Sequence, residues 1–71
     1  MIDRVVLHGT PGDEPGSQRM HHVRPYDGEP KPTVTMHMKQ LDGAYVRDED
    51  VVFFYSHTDE DGLPHYRRRG A

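Results

Sequence analysis

The stretch Val51-Val52-Phe53-Phe54-Tyr55-Ser56-His57-Thr58 decides the fold, and an Asp61-Gly62 dipeptide and a shorter run from Leu63 to Arg69 follow it. Such a run of β-branched and aromatic residues favours a strand. Asp-Gly accepts the positive φ of a tight turn, so residues 51–69 predict a β-hairpin. With Asp61 and Gly62 as the two central turn residues, the expected register pairs Thr58 with His65, His57 with Tyr66, Ser56 with Arg67 and Tyr55 with Arg68.

This register places apolar side chains on both faces of the hairpin near Val51. One face would carry Val51, Phe53, Tyr55, His57, Tyr66 and Arg68. The other would carry Val52, Phe54, Ser56, Thr58, Leu63, His65, Arg67 and Arg69. A strand that is buried on two faces needs a second cover, which in so short a chain must come from a folded-over sheet, as in a small barrel, or from another molecule.

The size of the chain makes that cover important. The 71 residues predict a single domain spanning 1–71, with 32% hydrophobic residues, 7 glycines and 6 prolines. Ordering costs roughly 1.5 kcal/mol per residue against roughly 25 cal/mol per Å² of apolar burial, which nearly cancel in small chains. Cysteine is absent, so neither a disulfide nor a thiolate metal site can add stability. Oligomerisation, a partner surface or a site of histidines and carboxylates remain.

Charge is distributed unevenly along the chain. The formal net charge is −3, and setting aside the three arginines 67–69 lowers it by three to −6, so an acidic body precedes a basic end. No apolar run is long enough to span a bilayer, and Met1-Ile2-Asp3-Arg4 lacks the apolar core of a secretion signal. We therefore expect synthesis in the cytoplasm and no membrane partner.

The remainder of the chain reads as short strands and long loops. Strands are expected at Ile2 to His8, Arg19 to Arg24, Thr33 to Lys39 and Ala44 to Arg47. Met20 and Val23 would point to opposite faces of a regular strand, which predicts a bulge or a two-faced environment in the second of these strands. Gly9 to Gln18 and Pro25 to Pro32 are expected to be loops, and Asp42-Gly43 and Asp48-Glu49-Asp50 to be turns. No stretch predicts a useful helix. The fold class is therefore all-β: a small antiparallel sheet or partly open barrel of about five short strands.

Six histidines, at positions 8, 21, 22, 37, 57 and 65, raise the question of a metal site. Neighbours such as His21 and His22 point to opposite faces of a strand, so they cannot chelate one ion together. In the expected register His57 and His65 also lie on different faces. We favour surface histidines that titrate near neutrality, and predict neither a metal nor a cofactor.

Signals for catalysis are weak. The acidic clusters 48–50 and 59–61 lack the spacing of a calcium loop, and acidic turns that keep sheet edges soluble explain them better. Ser17 and Ser56 are the only serines, and neither lies in a Gly-x-Ser-x-Gly setting. We therefore expect no enzyme and no small-molecule substrate.

Arg67, Arg68 and Arg69 form the one concentrated charge. In an extended strand they alternate, with Arg68 on the opposite side from the other two. With Tyr55 and Tyr66 nearby they could bind phosphates of nucleic acid, but an acidic body argues against that role. We favour pairing with carboxylates of a neighbouring chain, such as an identical copy. Simple protection of a sheet edge is the alternative.

Two motifs carry a family resemblance. The first strand runs into Gly9-Thr10-Pro11-Gly12, and the chain closes with Asp61-Gly62-Leu63-Pro64-His65-Tyr66-Arg67. This resembles small all-β proteins of actinobacteria and their phages that have a Gly-Gly-Pro turn after the first strand and an Asp-Gly-x-x-x-Tyr closing hairpin. The resemblance covers about a third of the chain, and Thr10 stands in place of the second glycine. It implies a phage or prophage setting and no particular activity.

The leading hypothesis is a non-enzymatic structural or interaction module, a minor or decorating component of a phage particle that packs on copies of itself or on a scaffold protein. Its localisation would be the virion after cytoplasmic synthesis. A small regulatory or anti-defence protein that binds a host protein is the first alternative, and a metal- or nucleic-acid-binding β module the second. The expected interface residues are Val51, Phe53, Phe54, Tyr55, Tyr66, Arg67, Arg68 and Arg69.

Overall fold

The fold is all-β, as the sequence predicts. The computed structural model describes residues 1–14 and 16–69, so parts of the predicted Gly9 to Gln18 loop and of the 1–71 domain span lie outside the described residues. The described residues contain no helix. The strands are β1 (Ile2–His8), β2 (Gln18–Tyr26), β3 (Thr33–Asp42), β4 (Tyr45–Thr58) and β5 (Pro64–Arg68).

The five strands form one curled, open sheet in the order β2-β1-β5-β4-β3. This half-barrel confirms the predicted partly open barrel. The sheet is mixed rather than wholly antiparallel, because β5 lies beside β1 in parallel, with Leu7 opposite Tyr66 and His8 opposite Arg67. Local turn signals specify the neighbouring hairpins, whereas nothing local specifies the pairing of the first and last strands.

The core lies on the concave side of the curl, where alternate residues of the central strands converge. It consists of Val5, Leu7, Val34, Val51, Phe53 and Tyr66, with Val23, Met36 and Met38 packed against it. Burial raises the pKa of the Tyr66 phenol, and its hydroxyl donates a hydrogen bond to the Lys31 carbonyl at 2.7 Å. This bond ties the loop between β2 and β3 to the core.

The convex side of β4 is open to solvent. Phe53 is fully buried, whereas its neighbours Val52 and Phe54 are 40% and 42% exposed. The curled sheet therefore covers one face of the aromatic strand, and the second cover expected from the sequence is absent from the described part of this chain.

The β4–β5 hairpin differs from the expected register by one position next to the loop and by two positions beyond Ser56. His57 pairs with His65 and Tyr55 with Tyr66, because a bulge at Ser56 and a loop over residues 59–63 replace the predicted two-residue turn. Gly62 has a φ of 82°, as the Asp-Gly signal requires. The bulge moves His57 to the convex face, beside His65. The predicted separation of these two histidines is therefore wrong.

The structure also differs from the prediction at residues 44–50, which the sequence divides into a short strand and an acidic turn. Residues 45–50 belong instead to the single strand β4, which pairs with β3 from Asp42↔Tyr45 to Thr33↔Phe54. Two of the acidic residues have a polar partner on β3: Lys39 pairs with Asp48, and His37 pairs with Asp50, with 2.6 Å between His37 Nδ1 and Asp50 Oδ1.

The far end of the β3–β4 hairpin extends beyond the other strands. Strand β5 contacts β4 only between Phe53 and Thr58, so residues 39–50 form a two-stranded arm, called the arm below. The radius of gyration of 13.1 Å exceeds the roughly 11 Å of a compact domain of this length. Every residue of the arm whose burial is described is exposed.

The bulge expected in β2 is confirmed. The pairing of β1 with β2 shifts between Ile2↔Tyr26 and Arg4↔His22, so Val23, Arg24 and Pro25 face one residue of β1. Pro25 fits here because it lacks a backbone N–H, which a bulge on an edge strand does not require. The strand consequently runs to Tyr26, past the predicted start of the loop at Pro25.

No helix in the described ranges is long and apolar enough to cross a membrane.

Candidate functional site

Three side chains on the convex side of the sheet form a continuous chain of hydrogen bonds, called the histidine relay below. Asp59 Oδ2 lies 2.8 Å from His65 Nε2, and His65 Nδ1 lies 2.7 Å from His8 Nε2. The His65 side chain is only 10% exposed. Strands β1 and β5 lie side by side, which brings together two histidines 57 positions apart in the sequence.

The loop between β4 and β5 fixes the acidic end of this relay. Asp59 Oδ1 accepts hydrogen bonds from the backbone N–H groups of Asp61 at 2.9 Å and Leu63 at 3.0 Å. The hydrogen bond from His65, followed by these backbone bonds, lowers the pKa of the Asp59 carboxyl. Asp59 is therefore an ionised acceptor that both shapes the loop and orients His65.

The proton positions in the relay follow from the ionisation of Asp59. A carboxylate can only accept, so His65 Nε2 carries the hydrogen and, in a neutral ring, His65 Nδ1 is an acceptor. His8 Nε2 must then be the donor to it. This leaves His8 Nδ1 with a free lone pair, at the end of the relay.

A third imidazole packs on the relay. The His57 ring stacks on His65 with 4.4 Å between centroids and an interplanar angle of 17°. Its Nδ1 lies 3.0 Å from the hydroxyl oxygen of Ser56, the bulged residue. The bulge therefore does more than change the register, because it turns His57 toward the buried histidine.

His8 lines a depression of about 320 Å³ together with Gly9, Gly16, Gln18 and Arg67. Burial, and after it the nearby charge of Arg67, lower the pKa of the His8 imidazole; His65 and His57 act in the same direction. His8 is therefore neutral at pH 7, with a cationic guanidinium close by.

The relay does not form a metal centre. Among residues 1–14 and 16–69, no group of three or more histidines and carboxylates is placed to hold a metal ion. His65 uses one nitrogen for Asp59 and the other for His8, so both of its coordinating positions are engaged. The arrangement is suited to holding and transferring a proton.

A second depression, of about 500 Å³, lies on the same side and is lined by Phe54, Tyr55, Ser56, Arg67 and Arg69. It is called the aromatic–arginine surface below. It brings together four of the eight residues expected at an interface. Arg68 lies in a different depression, as the expected alternation requires. It lies there beside the loop between β1 and β2 that contains Thr10 and Gly12, called the glycine-rich loop below.

The other three expected interface residues are internal. Val51, Phe53 and Tyr66 are 6%, 0% and 0% exposed and form the core of this chain. Their side chains therefore stabilise the single chain, and the exposed neighbours Val52 and Phe54 occupy the surface instead. The interface itself stays a prediction.

The sequence indicates only part of the relay. The spacing of Asp59, Gly62 and His65 is consistent with a loop whose first residue accepts hydrogen bonds from residues later in the loop. This pattern can be recognised in the sequence. His8 could not be added to it, because its position depends on the parallel pairing of β1 with β5.

Comparisons with protein-family models, with curated proteins and with solved structures find no match for this chain.

Proposed function

We propose that this chain is a non-enzymatic interaction module that assembles with copies of itself or with a larger scaffold protein, as a minor or decorating component of a phage particle would. The observation that carries the proposal is the arm, residues 39–50, which extends from the sheet with apolar side chains exposed near its tip. Leu41, Tyr45 and Val46 are 82%, 77% and 61% exposed.

The energetics of the arm support a binding role. A two-stranded hairpin is marginally stable in water unless a third strand or another surface covers one face. The arm contains four residues of β3 and six of β4, so it is about 20 Å long at about 3.3 Å per residue, and β5 does not reach it. A partner that covers Leu41 and Val46, which are paired on one face, would supply the missing surface.

The aromatic–arginine surface supports the same reading. Phe54 and Val52 expose apolar area on the convex side of the sheet, and Arg67 and Arg69 border it. The arm contributes the acidic residues Asp42, Asp48, Glu49 and Asp50 against Lys39 and Arg47. One copy therefore presents an acidic, apolar projection and also a basic, apolar depression, a combination suited to head-to-tail contacts.

The test is the molar mass of the purified chain in solution, measured by light scattering over a range of concentrations. We expect multiples of the 8.2 kDa chain, and a return to the single-chain mass when Leu41 and Val46 are both replaced by serine. The matched control replaces Met20 by serine, because Met20 is also an exposed apolar residue but lies on β2, outside the arm. It should leave the mass unchanged.

A folded monomer would exclude self-assembly and leave the scaffold form of the proposal. A folded monomer whose arm amides are also fully protected from hydrogen exchange would overturn both forms, because such an arm needs no partner.

A further inference from the structure

We propose that the depression lined by His8 and Arg67 is a binding site for a terminal phosphate group, either inorganic phosphate or a phosphate monoester. The site is distinct from the arm, and it rests on the histidine relay and on the chemistry of its two polar side chains.

The first argument is the charge of Arg67. No carboxylate lies within ion-pair distance of it among the residues that the structure describes. The acids nearby in the fold are engaged: Asp59 accepts from His65, and Asp13 binds Arg19 at 2.7 and 2.9 Å. A guanidinium beside a concave surface selects an oxyanion that can accept its parallel N–H donors.

The second argument is the lone pair of His8. Because the relay commits His8 Nε2 to donate to His65, the ring offers Nδ1 only as an acceptor. Burial and the nearby charge of Arg67, which lower the pKa of His8, keep it neutral near pH 7. A ligand for this site must therefore present negative oxygen to Arg67 and an O–H donor to His8 at the same time.

A terminal phosphate meets both requirements on one group. Its second pKa is about 6, so near that pH about half of the phosphate is the monoanion, which carries one O–H and several acceptor oxygens. A carboxylate at the same pH has no proton to donate, and a phosphodiester has no O–H. The chemistry of the site thus favours a phosphate end over a carboxylate side chain or a nucleic-acid backbone.

The rest of the depression leaves space for such a group. Gly9 and Gly16 line it without side chains, and both have positive φ, at 75° and 83°. A side chain at either position would be strained by that conformation. Gln18, which lies opposite His8 on β2, adds an amide that can donate or accept.

The relay also holds the acceptor atom of His8 in place. The phosphate O–H donates to His8 Nδ1, while the hydrogen bonds from His8 to His65 and from His65 to Asp59 fix the orientation of the ring. Charged or titratable groups near His8 are Arg67 and His65 on β5, His57 on β4 and Asp59 in the adjoining loop. Binding should therefore depend on the protonation state of the phosphate.

The experiment is a titration of the full chain with inorganic phosphate, followed by NMR of the histidine side chains in a buffer without other oxyanions. We expect saturable shifts of the His8 and His65 resonances. His37 serves as the internal control, because it is exposed and pairs with Asp50 on the arm, away from the depression. Phenyl phosphate should reproduce the shifts, whereas acetate and dimethyl phosphate should not.

Two variants and a pH comparison complete the test. Arg67→Gln should weaken phosphate binding at least about tenfold, while Arg24→Gln, a matched change of an exposed arginine on β2, should not. Raising the pH from 6.5 to 8.5 should weaken binding by about tenfold or more, since the monoanion disappears. Equal shifts at His37, an unchanged affinity in Arg67→Gln, or equal binding of acetate would each overturn the proposal. Because Arg67 also borders the aromatic–arginine surface, the titration is repeated with the variant in which Leu41 and Val46 are both serine, and phosphate should bind that variant equally well.

Discussion

The two ends of strand β4 have similar local pairing and very different surroundings. From Tyr45 to Asp50 the strand pairs with β3 alone, and its residues are exposed. From Phe53 to Thr58 it pairs with β5, while its pairing with β3 ends at Phe54, and the curl of the sheet encloses Val51 and Phe53. The difference teaches that the position of a residue over the curled sheet, rather than strand propensity, decides whether it is buried.

The same comparison separates two neighbouring phenylalanines at the enclosed end. Phe53 and Phe54 are adjacent in sequence, yet one lies in the core and the other is 42% exposed on the convex face. Equal losses of stability from the same substitution at Phe53 and at Phe54 would contradict this division between core and surface.

The largest effect is expected from Phe53→Ala. Removing a fully buried phenylalanine should lower the free energy of unfolding by about 3–5 kcal/mol, a large part of the roughly 4–11 kcal/mol expected for this length. Phe54→Ala should cost about 1 kcal/mol or less in the single chain. Urea unfolding followed by circular dichroism measures both.

If Phe53→Ala does not fold, Phe53→Leu provides the graded comparison, with an expected loss of about 1–2 kcal/mol. Equal losses at positions 53 and 54 would show that the convex face is also buried in the isolated chain.

The next effect concerns the arm directly. In dilute solution, where partners are absent, amide hydrogens of residues 39–50 should exchange at least about 30-fold faster than those of residues 51–55, a difference of about 2 kcal/mol in opening free energy. Hydrogen exchange followed by NMR resolves the two segments. Uniform protection along β4 would mean that the arm is stable by itself.

Local pattern was sufficient for much of this fold. β1 occupies the predicted residues Ile2–His8, and the alternation of Thr33 to Lys39 predicts the start of β3. The bounds of β4 could not be predicted, because Asp48, Glu49 and Asp50 indicate a turn unless their partners on β3 are known. Cross-strand charge pairing is a property of the register, which a single segment does not contain.

The histidine relay could be predicted from the sequence even less well than the bounds of β4. A single extra residue in β4, the bulge at Ser56, reverses the face of His57 and brings it onto His65. A one-position change in register exchanges the two faces of a strand, so the wrong turn length separated residues that the structure stacks. The role of His8 depended further on the unpredicted parallel pair.

A smaller effect should appear in the pH dependence of stability. Burial is the main reason why the pKa values of His8 and His21 lie below 6.5 in the folded chain. The unfolded chain therefore binds protons more readily, so stability is fully present above pH 6.5 and is lost as the pH falls through the lowered values. Asp59, whose pKa is lowered from 3.8, retains its contribution until more acidic pH.

Thermal unfolding between pH 7.5 and 5.5, in a buffer without phosphate, measures this slope. His8→Gln should make the slope shallower, while Arg24→Gln, which changes an exposed residue of β2 that does not titrate between pH 5.5 and 7.5, is the control and should leave it unchanged. A melting temperature that rises on acidification would contradict the sign.

The smallest effect, and the only stabilising one, is expected at Thr10. This residue is 3% exposed, and its hydroxyl has no hydrogen-bond partner among the residues that the structure describes. A buried unpaired hydroxyl is unfavourable, and valine keeps its shape without the polar atom. Thr10→Val should therefore raise the free energy of unfolding by up to about 1 kcal/mol, measured by urea unfolding beside Thr10→Ser, which keeps the hydroxyl and loses a methyl group. A loss of stability in Thr10→Val would show that the hydroxyl has a partner, such as a buried water. The glycine-rich loop would then be held at this position by a polar contact rather than by apolar packing.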